Sequence, residues 1–138
     1  MRFQRPGMRF FVLPITLLAY GAASLFHHVH NAEFLGEYPN MPTWLTPAGV
    51  YVAWLGVTAT GVAGYSLFRL GNRLVGLAAL GIYGALGLYG LGHYTVAPLA
   101  AHTSTMHLTI WLEVVTGALL MITVAGQMLN RLRLGSKQ

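Results

Sequence analysis

The chain has no cysteine and few charges: only 8% of its 138 residues are charged, and glutamate is the only acidic type. Without a thiol, disulfides, thiolate zinc sites and iron–sulfur clusters are excluded. Soluble domains carry about 25% charged residues, so this composition cannot supply a water-facing surface. Because 55% of the residues are hydrophobic, we predict that the chain folds in lipid, as a single all-α domain.

The sequence also lacks the short motifs of common enzymes. There is no glycine-rich phosphate loop followed by lysine, and no nucleophile with a base at a recognised spacing. Membrane desaturases carry several tight histidine motifs, whereas here only the run from His27 to His30 comes near that pattern. Whether the protein is an enzyme is therefore left open by the sequence.

Four apolar segments are long enough to cross a bilayer as helices, which takes about 20 residues each. We place them at about 10–34, 47–70, 74–94 and 104–130. Thr46 and Pro47 suit the N-cap and first position of the second helix, and Gly71-Asn72 suits a tight turn after it. The prediction is an integral membrane four-helix bundle that spans residues 1–138.

The basic residues favour one orientation in the membrane. They border the apolar segments in three groups: Arg2, Arg5 and Arg9; Arg69 and Arg73; Arg131, Arg133 and Lys137. The loops at 35–46 and 95–103 contain no lysine or arginine. By the positive-inside rule, both termini are predicted to be cytoplasmic in the inner membrane. The net charge of +5 then reports topology rather than a nucleic-acid partner. The alternative, a cleaved leader over residues 1–24, is disfavoured by its long apolar run.

Small residues mark the expected contacts between helices, because lipid supplies no hydrophobic force between them. Helix two carries small residues at four-residue spacing, and helix three carries glycines at three-residue spacing. These residues are Gly56, Thr60 and Gly64 in the second helix, and Gly81, Gly84, Gly87 and Gly90 in the third. We interpret both sets as faces where backbones approach closely.

All the histidines and glutamates fall toward the non-cytoplasmic half in this topology. They are His27, His28, His30, His93, His102 and His107, with Glu33, Glu37 and Glu113. Three different helices thus deliver imidazoles to a similar depth, and sites in helix bundles are built from facing helices in this way.

Glu113 is the most informative single residue. It lies about 13 Å along the fourth helix at 1.5 Å per residue. Because a carboxylate at that depth is costly against lipid, we expect it to face the bundle interior beside a partner. Thr109 and Thr116 share its face of the helix, and the remaining partner should be a histidine, a tyrosine or a bound ion. The competing interpretation is a protonated carboxyl bonded to a threonine or a carbonyl.

This cluster predicts a transition-metal site, because imidazole and carboxylate together suit zinc, iron or copper(II). The predicted ligands are His27, His30, Glu33, His93, His107 and Glu113. Met41 and Met106 could add soft ligands for copper(I). His28 and His102 are expected to be bystanders, since His28 points about 100° away from His27 and His102 lies in a loop.

Three other functions remain open. Two axial histidines on different helices could hold a haem b, with the glycine-rich third helix leaving room for the porphyrin. A bundle of this size could instead be a non-catalytic subunit of a larger membrane complex, or a homo-oligomer. Proton or ion translocation through Glu113 and the histidines is the third, although the cytoplasmic half offers few groups for a relay. The bilayer is the one partner that the composition requires.

Overall fold

A computed structural model describes residues 9–135, and side chains from 11 to 133. The chain is all-α. Its α-helices are α1 (Arg9–Glu33), α2 (Pro47–Arg69), α3 (Arg73–Leu86), α4 (His93–Val96) and α5 (Ser104–Gly135). Single turns of 3₁₀-helix occur at Leu35–Glu37 and Leu99–Ala101. The termini with Arg2, Arg5 and Lys137, which the topology prediction uses, lie outside the described residues, as does the side chain of Arg9.

Four helical segments are long and apolar enough to cross a membrane, as predicted. They are Phe11–Glu33, Pro47–Arg69, Arg73–Val96 and Ser104–Arg133. The local signals around α2 act as expected: Thr46 caps the helix by accepting a hydrogen bond from the Gly49 N–H at 3.1 Å, and Pro47 follows it. Gly71 has a φ of +100°, which turns the chain tightly between α2 and α3 and which residues with a Cβ rarely adopt.

The third span is not one uninterrupted helix. Between α3 and α4 the backbone forms a 3₁₀ segment, Gly87–Gly92, that contains three glycines. Glycine is the weakest helix former after proline, so the segment has little intrinsic preference for the α conformation. A 3₁₀ helix rises about 2.0 Å per residue instead of about 1.5 Å, which pushes the following residue, His93, farther along the span.

The four spans form a ring in which α1 and α3 each pack against both α2 and α5. Arg69, Arg73 and Arg131 gather at one end of this bundle, which we call the arginine end. The opposite end, which we call the histidine end, carries all six histidines and the loops at 34–46 and 97–103. A hydrogen bond joins the first loop to the end of α4: Asn40 Nδ2 donates to the Val96 carbonyl at 2.8 Å.

An apolar core fills the bundle from its middle toward the arginine end. It consists of Leu13, Tyr20, Leu77, Leu80, Tyr83, Leu120 and Val124. The outward faces remain apolar and exposed, as with Leu18, Val52 and Ile122, which is what contact with lipid requires.

Glycines bring the spans together, but not all the predicted ones do so. A Cβ built on Gly84 would lie 2.8 Å from the Gly117 carbonyl oxygen, so α3 and α5 nearly touch there. Gly64 similarly meets the backbone nitrogen of Leu80 at 3.0 Å. Gly56 has nothing within 4 Å and Gly61 packs on Tyr83 instead, so the packing face of α2 was predicted wrongly at that position.

Candidate functional site: a buried histidine–glutamate pocket

Toward the histidine end, the bundle contains a pocket of about 200 Å³ between the spans. Every span contributes to its wall. The lining residues are His27, His28 and Asn31 from α1, Val57 from α2, Leu86, Tyr89, Gly90 and His93 from the third span, and Glu113 from α5. This set holds three imidazoles, one amide and one carboxylate within an otherwise apolar bundle.

Glu113 is the acidic group of the pocket, and only 3% of its surface is exposed. The prediction that it faces the bundle interior is confirmed. The sequence left its partner open between a histidine, a tyrosine and an ion, and two histidines lie nearby. Its Oε2 atom lies 3.6 Å from His27 Nε2, and its Oε1 atom lies 3.7 Å from His28 Nδ1. The pocket extends up to the carboxylate because Gly90 opposite has no side chain: a Cβ there would stand 3.5 Å from Oε2.

The proton on His27 can be assigned from its other neighbour. Thr109 donates its hydroxyl hydrogen to the Met106 carbonyl at 3.1 Å, within its own helix. The Thr109 oxygen can therefore only accept from His27 Nδ1, which lies 3.3 Å away. In the neutral ring Nδ1 then carries the hydrogen, and Nε2 presents a lone pair toward Glu113.

His28 is fixed in a similar way. Its Nδ1 lies 2.9 Å from the Ser24 carbonyl, which can only accept, so Nδ1 carries a hydrogen and Nε2 is left with the lone pair. The His27 and His28 rings stand edge to face with centroids 5.6 Å apart. Two consecutive residues of α1 thus both border the pocket, contrary to the expectation that His28 is a bystander.

His93 completes the polar wall from the third span. Its Nε2 accepts from Asn31 Nδ2 at 3.3 Å, and its ring lies 5.4 Å from that of His27. The Oδ1 atom of Asn31 is buried and has no hydrogen-bond partner in the described part of the chain. Buried amide oxygens are rarely left in that state.

The other three predicted ligands lie elsewhere. His30 Nδ1 makes a 2.9 Å hydrogen bond with the Tyr38 hydroxyl. Glu33 is exposed and accepts from the Tyr51 hydroxyl at 2.7 Å, which joins α1 to α2. His107 Nδ1 lies 2.8 Å from the Tyr94 hydroxyl. The structure therefore brings His27, His93 and Glu113 together. The other predicted ligands, His30, Glu33 and His107, each form a hydrogen bond with a tyrosine instead.

Tyr38 belongs to a loop yet is buried, with its ring 5.0 Å from that of His93. Burial raises the pKa of its hydroxyl above the usual value. No pattern in the sequence indicated that this tyrosine belongs to the histidine end. It lies eight residues after His30, beyond the 3₁₀ turn Leu35–Glu37, and no periodic pattern of side chains extends to that position.

No three histidine or acidic side chains among residues 11–133 stand in an arrangement that could hold a metal ion as they are placed. Comparison of the chain with protein-family models, curated proteins and solved structures gave no match. The molecule is thus defined by its own geometry as a four-helix protein of membrane-spanning length with a buried histidine–glutamate network.

Proposed function

We propose that the pocket binds a divalent transition-metal ion, with His27 Nε2 and Glu113 Oε2 as its first two ligands. The spacing of these two atoms supports the proposal. At 3.6 Å they are farther apart than a hydrogen-bonded pair, which is normally 2.7 to 3.2 Å. Two ligands about 2.0 to 2.1 Å from a tetrahedral metal are about 3.4 Å apart, which is close to the observed separation.

The protonation pattern supports the same conclusion. The lone pair of His27 faces a carboxyl oxygen, and two acceptors buried side by side repel each other unless a proton or a metal cation lies between them. Thr109 holds the other ring nitrogen, and such second-shell contacts orient metal-binding histidines in proteins.

The remaining ligands would come from His28 and His93, which line the same pocket. In the structure neither ring points a free nitrogen at a metal held between His27 and Glu113. Metal binding therefore requires both rings to turn. His93 has the means to move, because it directly follows the 3₁₀ segment Gly87–Gly92; short 3₁₀ stretches within helices often act as hinges. A His₃Glu set suits zinc, iron or copper(II).

With both termini cytoplasmic, as the basic residues predict, this site belongs to the periplasmic half of the inner membrane. The function would then be metal handling or a catalytic metal centre open to that side.

The test is metal content of detergent-purified protein with Zn²⁺ and Co²⁺ as probes. We expect about one ion per chain, with a cobalt absorption spectrum of tetrahedral type. Glu113→Gln and His27→Ala should lose the ion, while His30→Ala and Glu33→Gln, outside the pocket, should keep it. Wild-type protein that binds neither probe, or pocket variants that bind as well as wild type, would show the proposal to be wrong.

The structure gives less support to haem binding, to proton or ion translocation, and to the accessory-subunit hypothesis. The third span meets its neighbours at Gly84 and Gly87, where a porphyrin would need space, so nothing here supports haem. A relay across the membrane would have to pass the apolar core around Leu77 and Leu80. The accessory-subunit and homo-oligomer hypotheses remain predictions, because the exposed apolar surface is already accounted for by lipid.

A further inference from the structure

A second group of metal-binding side chains lies at the histidine end, outside the pocket. We call it the outer cluster: Tyr94, His102, Met106 and His107. None of these four residues lines the pocket. The rings of His102 and Tyr94 have centroids 5.2 Å apart, and those of His102 and His107 are 5.8 Å apart. The loop after α4 and the first turn of α5 therefore meet at this cluster.

His102 presents an unused nitrogen. Its side chain is buried, with 7% of the residue exposed, although it belongs to a loop. The Nδ1 atom lies 3.1 Å from the Pro98 carbonyl, which can only accept, so Nδ1 carries the hydrogen. Nε2 then holds a lone pair, and this buried atom has no hydrogen-bond partner within the part of the chain that the structure describes. Such an atom usually has a donor or a cation as its partner.

His107 stands at a distance that allows it to share a metal with His102. Two imidazoles whose nitrogens lie about 2.0 to 2.1 Å from one metal have ring centroids about 5.2 Å apart in a tetrahedral arrangement and about 6.4 Å apart in a linear one. The observed 5.8 Å lies between these limits. The Tyr94 hydroxyl lies 2.8 Å from His107 Nδ1. In the tautomer in which Nδ1 donates to that hydroxyl, Nε2 holds the lone pair that a metal requires.

Met106 directly precedes His107 in the first turn of α5 and carries a soft ligand atom. It is fully buried, and its sulfur accepts a hydrogen bond from the Thr103 N–H at 3.4 Å. Thr103 directly follows His102, so the thioether lies close to the backbone of that residue. The cluster contains two imidazoles and a thioether but no carboxylate, and this combination favours copper(I) over harder divalent ions.

We propose that His102, His107 and Met106 form a copper(I) site at the histidine end, separate from the Glu113 pocket. Copper(I) has no preference for octahedral coordination and is bound by two or three nitrogen and sulfur ligands. This proposal rests on other residues than the proposed function does, and either can fail without the other.

The experiment measures anaerobic copper(I) binding in detergent by competition with a chromogenic chelator. The background is Glu113→Gln/His27→Ala, which removes both of the first two ligands proposed for the pocket. One ion per chain is expected. His102→Ala/His107→Ala should abolish binding, Met106→Leu should weaken it at least tenfold, and Met128→Leu, a methionine at the apolar core, should leave it unchanged. Equal affinity with and without His102→Ala/His107→Ala would overturn the proposal.

X-ray absorption on copper-loaded Glu113→Gln/His27→Ala protein keeps the test valid if a further variant fails to fold. Nitrogen neighbours at about 2.0 Å together with a sulfur neighbour at about 2.3 Å support the site. Absence of the sulfur neighbour would remove Met106 from it, and a copper environment without imidazole scattering would refute the proposal.

Discussion

The two ends of the bundle use buried volume in opposite ways. Toward the arginine end, glycines let backbones touch, and Tyr20, Leu77 and Leu80 fill the remaining space. Toward the histidine end, the spans enclose a pocket with polar walls, and the histidines outside the pocket are held by single contacts to tyrosines or carbonyls. In a lipid environment, close packing supplies the stability of the first region, whereas the second uses its buried volume for polar side chains around a pocket.

The largest effect should come from enlarging a glycine at one of the close backbone contacts of the packed region. In Gly84→Leu the new side chain meets the Gly117 carbonyl at 2.8 Å, and that backbone atom cannot move aside. We expect a loss of at least about 3 kcal/mol, or no folded protein, because overpacked cores must separate. Unfolding in mixed detergent followed by circular dichroism measures it. Gly56→Leu, which meets nothing within 4 Å, is the control; equal stability of the two variants would contradict this packing.

A smaller loss of stability is expected at the boundary between the packed region and the pocket. A Cβ on Gly87 would stand 2.6 Å from the Tyr20 ring, so Gly87→Ala should cost about 1 to 3 kcal/mol. Gly92→Ala, in the same 3₁₀ segment but with open space around it, should be close to wild type. The same unfolding measurement compares them. If both variants behave alike, glycine matters here for conformation and not for the contact with Tyr20.

At the pocket, we expect function to change more than stability. Thr109→Val keeps the shape of the side chain but removes the oxygen that holds His27 Nδ1. Loss of such a second-shell partner lowers metal affinity by about 10- to 100-fold. Titration with Zn²⁺ checks this value. Thr116→Val is the matched control, because the Thr116 hydroxyl bonds only to carbonyls of its own helix in the structure described. An unchanged affinity in Thr109→Val would mean that His27 is oriented by other contacts.

A contact of the loop that covers the histidine end should contribute less to the free energy of unfolding. Tyr38→Phe removes the hydrogen bond with His30 while keeping the buried ring, and should cost about 0.5 to 1.5 kcal/mol. Thermal unfolding in detergent measures the difference, with Tyr89→Phe, a residue that is 79% exposed, as the control. A loss as large as that of Gly84→Leu would show that the two ends do not differ in the way described.

The smallest effect is a pH dependence at the same residue. Burial raises the pKa of the Tyr38 hydroxyl in the folded chain above its unfolded value of about 10. The contribution to stability is therefore complete below about pH 10 and is lost as the pH rises through the folded pKa. Unfolding free energies of wild type and Tyr38→Phe should converge over that range. Parallel curves would contradict the burial of this hydroxyl.

The sequence was sufficient to predict four spans, their caps and turns, and the inward position of Glu113. Each of these follows from local rules: the length of apolar runs, the chemistry of Thr46-Pro47 and Gly71, and the cost of a carboxylate facing lipid. The gathering of histidines at one end follows from the same topology, because antiparallel spans bring alternate loops together.

The tertiary structure alone decided which histidines meet. A helix that packs against two neighbours has a wide interior face, so both His27 and His28 reach the pocket although they point about 100° apart. The burial of Tyr38 and His102 depends on contacts between residues far apart in the chain. Periodicity reports the direction of a side chain around one helix, but the partner it meets is set by the packing of the others.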